Sequence, residues 1–451
     1  MEKVFRLRER GTTIRKEVLG GVITFVSMVY ILAVNPSILS AAGMDPAAVF
    51  TATAISAAAA TLFMAFFANY PIALASGMGL NAFFAYSVCI PLAEAGVQNP
   101  WEVALAAVLC EGLIFIVLTL CKFREALVND VPKNLKMGIT AGIGLFIALI
   151  GFEGSGLVVA DPSTVVALGS LASPQAVLFM VGLLLTAVLY HYKVPGYILW
   201  GILVTWVLGM IAQLAGWYVV DPEAGVYSLF PDFSNGLGIT APYFMDFDFG
   251  YAASHIVDFA IVVFSLLFID MFDTAGGLIG IAYKGEMLDE DGRLPRANRA
   301  LMADAVGTVV GAFTGTSTVT SYIESATGVA AGARTGLASL VTGLLFLLAI
   351  FLSPVFLAIP TFATAPALVF VGILMASAFK EIDFTEDIAA SLGAFMAIAM
   401  MPFTYSIANG IMFGILAFVI VRVFQGKAKD VAPIMWIAAV LFAIRIATLV
   451  I

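Results

Sequence analysis

Residues 314–336 read TGTSTVTSYIESATGVAAGARTG. The first half is built from β-branched residues and glycine, which disfavour helix. It lies between long apolar runs and leads to a single acid, Glu324. A second stretch has the same character: 71–87, PIALASGMGLNAFFAYS, opens on Pro71 and uses small residues before Asn81. Both first halves are expected to be extended. Extended backbone at membrane depth survives only where it is buried in protein or lines a cavity.

The rest of the chain supplies the membrane setting. Its 451 residues are 62% hydrophobic and 11% charged, with a mean hydropathy of +1.05. Soluble domains carry about 25% charged residues, and a soluble protein this apolar would expose large sticky patches. Many apolar runs approach the roughly 20 residues needed to cross a bilayer. No cleavable signal is visible at the start, MEKVFRLRERGTTIRKE, which is charged and lacks a small-residue cleavage site.

Fourteen such segments are expected between residues 18 and 425. The two unusual stretches fall in segments 3 and 10, seven apart. Segment 1 (VSMVYILAVNP) matches segment 8 (FSLLFIDMFDTAG) in place in the same way. Two halves of seven spans each must have opposite orientation. Paired broken segments at corresponding places point to a transporter site near the bilayer midplane. The fold class expected is therefore an all-α polytopic membrane protein of fourteen segments in two inverted repeats of seven, with short β-strands in segments 3 and 10. A further apolar stretch, 432–451, contains Arg445 and is expected either to span or to lie in the interface.

Lysine and arginine set the orientation. If the arm 1–17 is cytoplasmic, every one of the 21 basic residues except Arg445 falls on that side. The loops 153–173, 218–253 and 354–363 hold no Lys or Arg and are expected to face out, by the positive-inside rule. No basic run with interleaved aromatics suggests nucleic acid. The three cysteines and two histidines lack ligand spacing, so neither a metal site nor a disulfide framework is expected. No Walker motif is present, which speaks against ATP-driven pumping.

Residues 264–283, FSLLFIDMFDTAGGLIGIAY, place Asp270 and Asp273 three apart in an apolar run. They share one helix face, and two nearby carboxylates in a low-dielectric setting resist being ionised together. Intramembrane acids of this kind mark ion paths and proton relays. Asp270 has a bland alternative, a brace bonded to a neighbouring Ser or Thr. Glu111 and Asp304 are read as structural.

The motifs MVYILAVNPSIL (28–39), ASGMGLNAFFAYSV (75–88), ITAGIGLFIALIGF (139–152), FIDMFDTAGGLIGIA (268–282) and TSTVTSYIESATGVAAGARTGL (316–337) resemble, in order, the nucleobase–cation symporter-2 family. These are the xanthine/uracil permeases, and the likeness is to their purine branch, the AzgA-like adenine/guanine/hypoxanthine permeases. The resemblance implies a core domain of segments 1–4 (18–121) and 8–11 (254–353). It implies a gate domain of segments 5–7 (134–217) and 12–14 (364–425). The substrate would lie between the two strands, with Asp273 and Glu324 as the acids of segments 8 and 10. Asn81 matches the family's segment-3 asparagine, and Asp270 a second acid typical of the purine branch. Asp273 is shorter than the Glu that pyrimidine permeases carry, which suits a larger two-ring base. Import by proton symport, residence in the plasma membrane and a homodimer through the gate domain are what the resemblance implies further.

A nucleobase is flat, neutral and edged with donors and acceptors, so its pocket needs apolar faces and a few placed polar groups. Glu324 can accept from ring N–H groups through charge-assisted bonds, the stronger kind. Backbone amides around Gly77–Gly79 and Ser317–Thr320, Ser317 and Thr318 among them, can add contacts where glycine lets the chain come close, and Phe83, Phe84 or Phe272 can stack. Proton coupling is assigned to Asp273 with Asp270, the proton gradient being the energy source and no cofactor being needed. Other readings are a same-fold carrier of a pyrimidine, xanthine, urate or anion, or an intramembrane aspartyl protease. An anion would want a basic residue at the site, and no Gly-Asp dipeptide of the protease kind occurs.

Overall fold

The computed structural model describes residues 2–121, 131–221, 226–233, 239–285, 287 and 294–450. Among them nine helices are long and apolar enough to cross a membrane. The centre of the loop 285–295 and the basic residues Lys122 and Arg124 lie outside the described residues.

Fourteen segments follow one another along the chain. The first half comprises Ile14–Ser40, Pro46–Ala68, the broken segment 3 ending in Met78–Glu94, Pro100–Leu120, Lys133–Gly154, Pro174–His191 and Tyr197–Leu214. The second half opens with helices Ile256–Lys284 and Ala297–Thr314. Segment 10 then ends in the short helix Ser325–Ala330. Gly336–Leu357 and Thr361–Glu381 follow, then Ile388–Phe403 and Ile407–Phe424.

The four described strands are β1 (Leu74–Ser76), β2 (Val158–Asp161), β3 (Val165–Leu168) and β4 (Val319–Ser321). β1 belongs to segment 3 and β4 to segment 10. They pair antiparallel with Leu74 opposite Ser321 and Ser76 opposite Val319. Gly77 N–H donates to the Thr318 carbonyl at 3.0 Å and Tyr322 N–H to the Ala73 carbonyl at 2.9 Å, extending the pairing at both ends.

A two-stranded sheet has two open edges, and in a bilayer each bare polar group is expensive. Side chains close both edges. Thr61 of segment 2 accepts from Leu74 N–H at 2.9 Å and lies 3.2 Å from the Leu74 carbonyl. Thr308 of segment 9 donates to the Val319 carbonyl at 3.0 Å, and Asp304 of segment 9 accepts from Ser321 N–H at 3.1 Å. Segments 2 and 9 are seven apart, so each half of the chain closes its own strand with the equivalent helix. Asp304 thereby acquires the structural role expected of it.

Two groups of helices pack among themselves. Segments 2 and 9 flank the strands and are backed by segments 11 and 4, with segment 1 against segment 11 and the short helix of segment 10. Segment 5 packs on segments 12 and 13, and segments 6 and 7 on segment 12. Buried Glu17 joins segment 1 to segment 11. Its carboxylate accepts from Arg334 N–H at 2.7 Å and Ala338 N–H at 3.2 Å, a favourable place for negative charge at a helix start.

Two features depart from a plain reading of the loops. Residues 158–168 form the hairpin β2–β3, where a solvated loop is the sequence expectation. The C-terminal helix Pro433–Val450 packs along segments 14 and 8. Phe442 meets Phe264, and Arg445 lies within electrostatic range of Asp258, so the helix runs antiparallel to segment 8. Its outward side, with Trp436, Ile437, Val440 and Ile444, is also apolar.

Candidate functional site

The strand pair stands at the centre of the bundle, and the candidate acids gather at its ends. Gly77 ends β1 and starts the segment-3 helix. A methyl group there would come within 2.7 Å of the Thr320 side chain and 3.7 Å of Asp273 Oδ2. Glycine is therefore what lets the Thr320 side chain of β4 lie against the head of that helix, with Asp273 of segment 8 in ordinary contact beside it. Asp273 as a residue is half-buried.

Glu324 is also half-buried and caps the start of Ser325–Ala330. Tyr30 of segment 1 donates to Glu324 Oε1 at 2.7 Å. Asp273 and Glu324 lie within electrostatic range of each other, as does Tyr322 of both. Two carboxylates from opposite halves of the chain therefore lie near the heads of two short helices. Such a pair offers strong acceptors to a ligand rich in N–H donors.

Asp270 sits differently. It is fully buried and its Oδ1 accepts from Thr274 Oγ1 at 2.9 Å. The same hydroxyl lies 3.0 Å from Asp304 Oδ2 and 2.8 Å from Thr320 Oγ1. Through Thr274, Asp270 is thus tied to segment 9 and β4. Its geometry fits the brace reading.

The remaining candidates form an inner layer. Asn81 is fully buried, accepts a short hydrogen bond from Ser317 Oγ, and its amide nitrogen has no hydrogen-bond partner among the described residues. Thr318 Oγ1 turns away, to Glu111 Oε2 at 2.6 Å. Phe83 and Phe84 are almost wholly covered by the hydrophobic core, and the Phe272 side chain lies outside the described residues. Asn35 of segment 1 donates to Thr53 at 2.7 Å and Thr316 at 2.9 Å, and Thr316 meets Ser76 at 2.8 Å. This lattice ties segments 1, 2, 3 and 10 together.

Tyr30, Tyr322 and Asn35 escaped the sequence reading. Tyr322 Oη donates to the Ser76 carbonyl at 2.6 Å, across the strand pair. For Tyr30 and Asn35 the available signal was a hydroxyl or amide inside the apolar run MVYILAVNP (28–36). Among the described residues no group of three or more His, Cys, Asp or Glu is placed to hold a metal ion.

Residues 15–413 match the Xan_ur_permease family, described as a permease family. Guanine/hypoxanthine permease PbuG of Bacillus subtilis is 42% identical over 456 residues, covering 98% of this chain and 98% of that protein. Adenine permease AdeP of Escherichia coli is 40% identical over 447 residues, covering 99% and 96%. The transmembrane domain of the cyanobacterial bicarbonate transporter BicA has a similar structure, with a TM-score of 0.67 at 17% identity. The match covers 88% of this chain and 97% of that one, and at that identity it speaks to the fold alone.

Proposed function

The chain belongs to the permease family, and on that premise we propose that it is a secondary transporter importing purine nucleobases by proton symport. It is a multi-pass permease and not an enzyme. One observation carries the substrate reading: Asp273 and Glu324 lie within electrostatic range of each other beside a strand pair contributed by both halves of the chain. A site with two acids and no neighbouring base suits a neutral ligand with N–H edges. The relatives named for adenine, guanine and hypoxanthine agree with a purine.

In this reading Glu324 holds the base through paired ring N–H groups, and Asp273 exchanges the coupling proton. Asp270, hydrogen-bonded to Thr274, positions segment 8. Segments 1–4 with 8–11 are the core domain, and segments 5–7 with 12–14 are the gate against which it moves. The basic loops and the arm 1–17 face the cytoplasm, the protein sits in the plasma membrane, and two copies pair through their gates. An anionic cargo, as in the structural relative BicA, is disfavoured because the acids would repel it.

The test is uptake of labelled adenine, guanine and hypoxanthine into proteoliposomes with an inward proton gradient. Gradient-dependent uptake of at least one, abolished by collapsing the gradient, is the expected result. No purine uptake at any gradient would sink the reading.

A further inference from the structure

At the end of the bundle opposite the basic loops, a cavity of about 230 Å³ lies between the two helix groups. Ser37, Ile38 and Tyr86 line it from segments 1 and 3, and Glu153, Leu368 and Tyr405 from the other group. It adjoins a wider cavity of about 420 Å³ that shares Ser37, Gly154 and Thr361 and reaches the loop Val226–Leu229. Ser37 is two residues from Asn35, which touches the strand lattice. The two cavities are thus contiguous along segment 1 out to the loop surface.

Its polar lining is specific. Glu153 is half-buried. Its Oε2 accepts from Tyr405 Oη at 2.6 Å, and its other oxygen has no hydrogen-bond partner among the described residues. Tyr86 and Tyr405 meet edge to face with ring centroids 5.7 Å apart, and Phe146 packs on Tyr405 at 5.3 Å. Next to them Ile407 N–H donates to Ser87 Oγ at 3.1 Å.

Tyr405 has φ +51°, a backbone state that a bulky residue adopts only when its surroundings impose it. The strained turn between segments 13 and 14 brings this ring to Tyr86 and its hydroxyl to Glu153. Strain of this kind clusters at ligand clamps and switch regions.

We infer that this cavity is a second nucleobase subsite, where Glu153 accepts a ring N–H while Tyr86 and Tyr405 supply aromatic surface. The cavity lies below the ~300–1,000 Å³ of drug-sized sites, as suits a bare base. Aromatic walls with one free carboxylate oxygen select a flat, neutral donor-edged ligand over an anion. The inference rests on the nucleobase-transport reading and adds a place where the base pauses before the central site.

Photolabelling tests it. Uptake by the wild-type protein comes first; no uptake of adenine or guanine defeats the transport reading itself. The protein is then labelled with 8-azidoadenine or 8-azidoguanine, matching a base it imports, and digested for mass spectrometry. Label is expected on the Tyr86 or Tyr405 peptide as well as on segment 10, with both competed by the unlabelled base. The outer label should persist in Glu324→Gln. It should fall about tenfold in Glu153→Gln, the loss of roughly 1.4 kcal/mol from a charge-assisted bond, while the segment-10 label holds. Tyr86→Leu, which keeps the carboxylate and removes an aromatic wall, should also lower it. In a protein that imports the base, label confined to segment 10, or outer label unmoved by both substitutions, overturns the subsite and leaves the transport reading standing.

Discussion

Tyr30 on segment 1 and Glu324 at the head of the segment-10 helix are joined by a 2.7 Å hydrogen bond. They are 294 residues apart in sequence, and the bond holds one carboxylate oxygen while the residue stays half-open. The hydroxyl fixes the carboxylate's orientation, so a ligand meets a preset acceptor. Tyr30→Phe should therefore weaken purine binding by about tenfold, in line with ~1–1.5 kcal/mol for one such bond. Equilibrium dialysis with labelled base reads this directly, and unchanged affinity would remove Tyr30 from the site.

Glu324→Gln should do more. It removes the charge from the acceptor and leaves a group that both donates and accepts. A loss of ~1.5–3 kcal/mol for a hydrogen bond to a charged group corresponds to roughly 10–100-fold weaker binding. Wild-type affinity in this variant would show that the base is held elsewhere.

Asp273→Asn separates binding from coupling. The side chain keeps its size beside Gly77 but can no longer exchange a proton. Counterflow of labelled base should survive while gradient-driven accumulation is lost. Accumulation with an unaltered response to the gradient would move the proton to another group.

Thr308→Val tests the strand edge. It removes the donor to the Val319 carbonyl and leaves a buried acceptor unsatisfied, at ~1–3 kcal/mol. Thermal unfolding followed by fluorescence-detected gel filtration should shift downward. Ser40→Ala, at an exposed hydroxyl, is the control and should move it little.

Gly77→Ala tests the close approach. The added methyl would stand 2.7 Å from Thr320 Cγ2, so β1 and β4 must separate or Thr320 must turn. Overpacking costs typically ~1–3 kcal/mol, but transport should suffer more than stability, because the shift falls beside Asp273. Full transport in this variant would contradict a tightly built site.

Much of this was legible in the amino-acid order. The β-branched run before Glu324 and the small residues after Pro71 announced extended backbone, and their seven-segment spacing announced that the two would meet. Less legible were the groups that close the sheet edges. Thr61 and Thr308 look like ordinary helix threonines, whose hydroxyls usually bond back to their own helix. Thr308 stands 3.3 Å from the Asp304 carbonyl as well. Only tertiary packing decides that such a hydroxyl serves a strand. Asp270 and Asp273 posed the same difficulty, since adjacency on a helix does not say which carboxylate faces the opening. Asn81 and Thr318 sit in recognisable motifs, yet their side chains spend themselves on Ser317 and Glu111. The hairpin at 158–168, VVADPSTVVAL, was missed although it sets two short Val-rich runs around a turn, because runs of four residues between spans are too short to stand out from the apolar background.

The strand pair also sets a schedule for the chain's own birth. Tyr322 and Ser76, bonded across it, are 246 residues apart. At a synthesis rate of ~5–20 residues per second, the ribosome needs roughly 12–50 s to deliver the second strand after the first. Until then β1 has Thr61 for one edge and nothing native for the other. A nascent chain in that interval needs shelter from lipid, by the insertion machinery or by delayed entry of segment 3. The first seven segments, made alone, should fail to reach a protease-resistant state, because the partner of their strand belongs to the half not yet translated.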